Sequence, residues 1–291
     1  MLEFRTPTLG DKERIDFFVS NSDQIGCDIT FVNTYLWCER YDTRVAITEN
    51  AYFKAYFSEG VPVGYAFPLT TGDIRTAIDM ILEDARQRGV QPVIGLLNDR
   101  NTQIIRELYG DRVNIEEDRD AFDYLYLRSD LSNLSGKKYH AKRNHLSRFY
   151  RAYENYSVEE ITEKNFDDVI SVAERWQEGS PGDGEMTAIR NALQHFERLG
   201  MFGLVLYVYG RPVAMSFGSR INDEVCDVNF EKAVEIDEAY AVINNEFAKK
   251  YSTFTYLNRE EDMGLDGLRK AKLSYHPYQM IQKNIATFQM I

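Results

Sequence analysis

The sequence is short of several things, and each shortage excludes something. It has three cysteines, Cys27, Cys38 and Cys226. They are odd in number, and none has a partner at metal-ligand spacing or beside a His pair. They read as reduced packing residues, because a free cysteine behaves as a small buried hydrophobe. Proline (7) and glycine (18) are too sparse among 291 residues for a long disordered linker. No window reaches the roughly 20 apolar residues that span a bilayer. The opening MLEFRTPTLGDKERIDFF meets Glu3, Asp11 and Glu13 before any long apolar run, unlike a secretory signal. A cytoplasmic chain with no membrane segment is expected. A positive balance is absent as well: 46 acids outnumber 34 bases for a formal net charge of -12, which argues against a protein whose whole surface grips nucleic acid.

The length suits two ordinary domains. LGDKERIDFFVS carries an amphipathic stripe of Ile15, Phe18 and Val19, and ITFVNTYLWCER suggests a second helix. RVAITEN, AYFKAYFSEG and VPVGYAFPL are short, rich in β-branched and aromatic residues, and read as a three-stranded meander. DIRTAIDMILEDARQRG is then a helix stopped by Gly89, PVIGLL a strand, NTQIIRELYG a helix and AFDYLYLR a strand. The same order returns from about Tyr156: the strand SVEEIT, two helices, three strands (FGLVLYVYG, RPVAMSFGSR, EVCDVNFEK), the helix EAYAVINNEFAKKY, the strand STFTYLN, the short helix GLRKAKL and a terminal strand PYQMIQKNIATF. The expected class is α/β, with α+β mixed sheets in a structural duplication. Its parts are an N-terminal domain over residues 1–134, a basic connecting helix over 135–155 and a C-terminal domain over 156–291.

That connecting helix, SGKKYHAKRNHLSRFYR, holds Lys137, Lys138, Lys142, Arg143, Arg148 and Arg151 and no acid. A helix over residues 135–153 would put Arg143 in one stripe with Tyr139, Leu146, Tyr150 and Tyr153, and Lys142 beside it. A cation turned inward needs a carboxylate or a bound anion. Both a structural ion pair and an anion site satisfy that need. In the second motif, YLNREEDMGLDGLRKAKLSYHP, Asn258, Arg259, Glu260, Glu261 and Asp262 follow directly on a strand, and Arg269, Lys270 and Lys272 crowd one short helix. A charged surface turn would look similar. In the functional reading Asn258 and a carboxylate such as Asp262 or Glu261 orient or deprotonate an amine or hydroxyl, and Arg259, Arg269 and Lys272 hold an anionic part of a substrate.

The element order resembles the Gcn5-related N-acetyltransferase fold, used twice. The residues LSGKKYHAKRNHLSRF and YLNREEDMGLDGLRKAKLSYHP resemble a bacterial family of unknown function grouped with the soluble catalytic domain of phosphatidylglycerol lysyltransferases. The resemblance implies a tandem acetyltransferase-like fold and transfer of an aminoacyl group from a transfer RNA, as in the Fem transferases. It also implies that Glu231, at the end of EVCDVNFEK, faces the central splay of the sheet, where it is the preferred general base. Tyr240, which opens the helix that follows, is a candidate substrate-binding residue. Acetyltransferases of this fold hold the pyrophosphate of coenzyme A on a glycine-rich loop before that helix. Here the loop is EKAVEIDEAYAV, with no glycine and with Glu235, Asp237 and Glu238. No cofactor is therefore expected, and coenzyme A is discounted as donor. The expected partner is an anionic or acyl-carrying substrate such as a transfer RNA. The leading function is an acyl or aminoacyl transferase acting on an amine or hydroxyl, with a coenzyme A-dependent N-acetyltransferase or a non-catalytic ligand-binding module as alternatives.

Overall fold

A computed structural model describes residues 1–178 and 184–289. The chain forms two compact units: Met1–Asp123 with Glu261–Asp266 and Met280–Ile291, and Tyr124–Glu260 with Gly267–Gln279.

In the first unit the helices Lys12–Ser20 and Phe31–Leu36 precede the meander Thr43–Ile47, Ala51–Ser58 and Val61–Ala66. Ile15, Phe18 and Val19 are buried. The helix Ile74–Arg88 starts where the Asp73 carboxylate accepts the Thr76 amide at 2.8 Å and stops at Gly89, whose φ of 69° suits glycine. It returns the chain to Val93–Leu97, parallel to the third meander strand. Phe53, Tyr65, Ile78, Ile81, Ile94 and Phe288 centre the core.

In the second unit the sheet order runs from Asp123–Leu127 through Tyr256–Asn258, Val225–Ala233, Arg211–Arg220 and Phe202–Val208 to Tyr156–Glu160. A bulge between Phe217 and Ser219 interrupts the pairing of Arg211–Arg220 with Val225–Ala233. Glycine is required there, since a Cβ on Gly218 would lie 1.9 Å from the Asp227 carbonyl. Tyr256–Asn258 pairs with Val225–Ala233 in parallel for three steps only, ending at Asp227↔Asn258. Val225–Ala233 continues alongside Arg211–Arg220 as far as Ala233. The parallel pair therefore parts after Asn258, and Glu231 stands on the strand beyond the parting.

Three features differ from the sequence reading. Residues 277–288 form two strands, Gln279–Ile281 and Asn284–Phe288, and the second pairs with Val93–Leu97 and with Val113–Glu116. Asp123–Leu127 pairs instead with Tyr256–Asn258. Each half of the chain thus ends in a strand that completes the other half's sheet, so division by contact does not follow division by chain order. The basic helix begins at His140, not 135: Leu134 (φ 49°) and Gly136 (φ 84°) break the backbone before a 3-10 turn at Lys137–Tyr139. Its buried residue is Phe149, outside the stripe of Tyr139, Leu146, Tyr150 and Tyr153.

Candidate active site

Arg259 follows the last paired residue of Tyr256–Asn258, and its side chain meets Glu231 across the parting. The Nη2 to Oε1 distance is 2.6 Å, with the two side chains 14% and 9% exposed. Glu231 also accepts from Ser216 Oγ and Asn244 Nδ2, each at 3.3 Å. The Arg259 guanidinium lies 5.6 Å from the Tyr126 ring centre and 5.1 Å from that of Tyr275. Burial alone would lower its pKa, but the charge of Glu231 and the two tyrosines outweigh it, and the guanidinium is held above its ordinary value. Two buried atoms in this group have no hydrogen-bond partner, Arg259 Nη1 and Asn244 Oδ1. One donates and the other accepts. Lys142 stands beside them, its ammonium 3.7 Å over the Tyr275 ring and 2.7 Å from Ser274 Oγ. Burial, then the nearby charge of Arg259, lowers it to about 8. Lys142 forms no ion pair among the described residues.

The structure thus brings together Glu231, Arg259 and Lys142 from the predicted set and adds Ser216, Asn244, Tyr126 and Tyr275. Asn244 and Asn245 are buried on Ala239–Lys250, a helix buried on nearly every side, so the amphipathic stripe alone did not single them out. Tyr240, 38% exposed, lies against Ala233 and Trp176; burial first, and the charge of Glu231 with it, raises its phenol. Arg143 forms no ion pair among the described residues: its Nη1 donates to the carbonyls of Leu134 (2.5 Å) and Gly136 (2.7 Å), closing the turn before the helix. Asn258 is buried and accepts the Glu260 amide at 2.8 Å, a turn-forming role. Lys272 donates to the carbonyls of Arg259 and Glu260 and so braces the same turn. Arg269 is half-buried on the helix Asp266–Leu273. In the loop before Ala239–Lys250, Glu235 is paired with Arg175 (3.0 Å) and Arg211 (2.8 Å), and Glu238 with Arg148 (3.1 Å). Two of the three acids that argued against a pyrophosphate there are thus paired with arginines, and Asp237 forms no ion pair among the described residues.

Glu261 and Asp262 belong to the first unit. Asp262 is buried, lies 3.3 Å from Arg119 and accepts the Gly264 amide at 2.9 Å. Glu261 joins a cluster the sequence reading missed. Lys283, 5% exposed, pairs with Asp28, with Asp123 at 2.6 Å and with Glu261 at 3.6 Å, and donates to Cys27 Sγ at 3.5 Å. Cys27 is therefore more than a packing residue. Lys54, also buried, donates to the Asp28 carbonyl at 2.5 Å. Burial opposes ionisation of Asp28, but the charges of Lys283 and Lys54 prevail and hold it low. Burial raises Glu261. Cys27, Asp123 and Glu261 offer ligand atoms within 4.8 Å of one another, a spacing a metal ion could use. The Lys283 ammonium already pairs with both carboxylates and donates to the sulfur, so a cation of the protein's own occupies this cluster. A charged residue inside an apolar strand, Lys54 in AYFKAYFS, was the available signal.

Two mixed sheets, one of them parted where a buried ion pair spans the gap, define the class: a tandem acetyltransferase-like fold. The chain belongs to the phosphatidylglycerol lysyltransferase C-terminal family, whose model matches residues 20–287. Its structure is similar to that of a conserved protein of unknown function from Bacteroides thetaiotaomicron, with 36% identity, a TM-score of 0.93 and coverage of 99% of this chain and 100% of that one. L-PGS from Bacillus licheniformis has the same fold at 15% identity and a TM-score of 0.67, covering 96% and 92%. FemX shares it at 9% identity and a TM-score of 0.63, covering 99% and 98%. No curated protein matches. Among the described residues no helix is long and apolar enough to cross a membrane.

Proposed function

We propose that the chain transfers an aminoacyl group from an aminoacyl-tRNA to an amine or hydroxyl acceptor, at the parting of the second unit's sheet. The observation that carries this reading is the Glu231–Arg259 pair set across that parting, with a buried donor and a buried acceptor left unpartnered beside it. Family membership supports an acyl or aminoacyl transferase as the reaction class, and the likeness of the fold to L-PGS and FemX supports the finer choice. An aminoacyl ester is already activated, so the reaction needs no further cofactor, and a tRNA donor puts it in the cytoplasm.

In this mechanism the acceptor attacks the ester carbonyl carbon, and the negative charge that develops on the carbonyl oxygen is met by Arg259 Nη1. A preformed cationic donor in a dry site stabilises such charge strongly. Asn244 Oδ1 accepts a hydrogen bond from the acceptor group and fixes its direction of attack. Glu231 orients Arg259 and Asn244 together, and its carboxylate is the nearest acceptor for the proton the nucleophile sheds. The carbon–oxygen bond to the donor breaks, and its hydroxyl takes up a proton. Lys142 supplies a second cation for an anionic part of either substrate.

The test is release of labelled aminoacyl groups from tRNA to an acid-soluble product by the purified chain. Glu231→Gln and Arg259→Met should each lower single-turnover transfer by roughly 10²-fold or more while the fold persists. Full activity in both variants would remove the proposed centre. Neutralisation of Glu235 and Glu238 by three arginines favours one second reading, coenzyme A-dependent acetylation. Turnover with acetyl-CoA and none with aminoacyl-tRNA would establish it instead. Ligand binding that survives both substitutions, with no turnover of either donor, would indicate a binding module.

A further inference from the structure

The helix His140–Ala152 turns Phe149 into the protein and leaves Lys137, His140, Asn144, Arg148 and Arg151 exposed at its front and along its outer face. No acid occurs from 135 to 151. Arg148 is paired with Glu238, and the exposed Lys138 with Asp130 at 3.0 Å. Lys137 and Arg151 form no ion pair among the described residues. At the far end of the helix stands an aromatic group. Tyr209, 64% exposed, is held at the turn after Phe202–Val208 by its amide bond to the Asn155 carbonyl, and its ring lies 6.5 Å from that of Tyr153. Tyr156, 42% exposed, lies 5.3 Å from Tyr150.

We propose that this face, from Lys137 to Arg151 and on to Tyr209, is the surface on which the RNA of the donor docks, phosphates along the helix and unpaired bases against the tyrosines. The inference rests on the transferase reading for its choice of donor but stands on its own geometry. In a chain of net charge -12, a helix that adds no acid of its own and leaves Lys137 and Arg151 without a carboxylate partner among the described residues is the feature a polyanion selects. At about 1.5 Å per residue the helix extends roughly 17 Å from His140 to Arg151, a length that meets several phosphates of a strand carrying one per roughly 3.4 Å. Exposed aromatic rings beside a basic track are the means by which single-stranded nucleic acid is held without base specificity. An anionic membrane is the rival polyanion. A helix that lies on lipid buries an apolar face in it, whereas the apolar side of this helix is already covered by protein at Phe149.

The experiment is fluorescence anisotropy of a labelled, uncharged tRNA transcript titrated with the full chain between about 50 and 200 mM salt, alongside vesicles of phosphatidylglycerol. Lys137→Glu combined with Arg151→Glu should weaken tRNA binding at least about tenfold and make the salt dependence shallower by about two charges. Tyr209→Ala should weaken binding severalfold with the salt slope unchanged, because stacking releases no counterions. Wild-type affinity in the charge-reversed variant would overturn the proposal, as would binding to the vesicles and not to tRNA. Loss of tRNA binding in that variant, in a chain with no transfer activity, would uphold the surface and sink the transferase reading. Intact binding with intact transfer would do the reverse.

Discussion

The two units assemble buried charge in opposite ways. In the first, Lys283 is enclosed by Asp28, Asp123 and Glu261 and bonded to Cys27, so the cluster supplies its own cation. In the second, Arg259 has Glu231 but keeps one buried nitrogen unpartnered, and Lys142 rests on a ring and a hydroxyl with no carboxylate. A network closed on itself holds a fold in register, whereas one with surplus cation and an open donor can receive a ligand. Breaking the closed network should therefore have the largest effect on stability. Lys283→Met leaves three carboxylates without their cation, and an uncompensated buried charge typically costs about 3–5 kcal/mol. Urea unfolding should show that loss at pH 7, and a change below about 1 kcal/mol would mean the cluster is well hydrated. The pH dependence has two opposed parts. Burial holds Glu261 above its ordinary value of 4.5, so its contribution to stability falls as pH rises through that range, whereas Asp28, held low by Lys283 and Lys54, contributes stability that is lost as pH falls. Removing Lys283 should enlarge the first and diminish the second.

The same chemical change made once in each unit sharpens the contrast. Asp262 and Glu231 are the two acids the sequence offers as catalytic candidates. Asp262 is enclosed by Arg119 and the Gly264 amide, and Asp262→Asn should lower stability by about 1–3 kcal/mol and leave transfer per folded molecule unchanged. Glu231→Gln leaves the buried Arg259 without its anion and so should lower stability as well, but transfer per folded molecule should fall steeply. Urea midpoints and single-turnover rates on the two variants decide it: a loss of transfer in Asp262→Asn with normal stability would return Asp262 to the chemistry.

Local patterns announced most of these elements. The meander, the helix ended by Gly89 and the stripe of Ile15, Phe18 and Val19 follow from period and from end signals. The strand Val113–Glu116 went unread because four residues, VNIE, offer too little alternation, and it is formed by pairing with Asn284–Phe288. The exchange of terminal strands was unreadable for the same reason: which sheet edge a strand joins depends on partners far away in the chain. The candidate site was half legible. Glu231 followed from where the fold parts its sheet, and Arg259 from its place after a strand. Arg143 misled because a helix drawn from 135 turns it inward toward an unspecified anion, whereas the break at Gly136 offers it backbone carbonyls. Asp28, Asp123 and Lys283 come from three distant segments, and no spacing rule could join them.

The smallest effect separates two lysines that share one property. Lys54 in the first unit and Lys142 in the second are each lowered to about 8, in both cases chiefly by burial. Both should hold more neutral amine near pH 8 than ordinary surface lysines, but only Lys142 can be reached, since Lys54 is 4% exposed. Brief competitive acetylation read by peptide mass spectrometry should find Lys142 among the fastest sites, with a rate that climbs through about pH 8, and Lys54 unmodified. For Lys54 the unfolded chain binds the proton more tightly, so the strain of burying its charge is fully present below about pH 8 and is relieved as pH rises toward 10.5. Slow labelling of Lys142 with a midpoint near that of surface lysines would mean that its charge is balanced after all. The second unit's cluster would then be as closed as the first's, and the argument for a ligand there would rest on Arg259 and Asn244 alone.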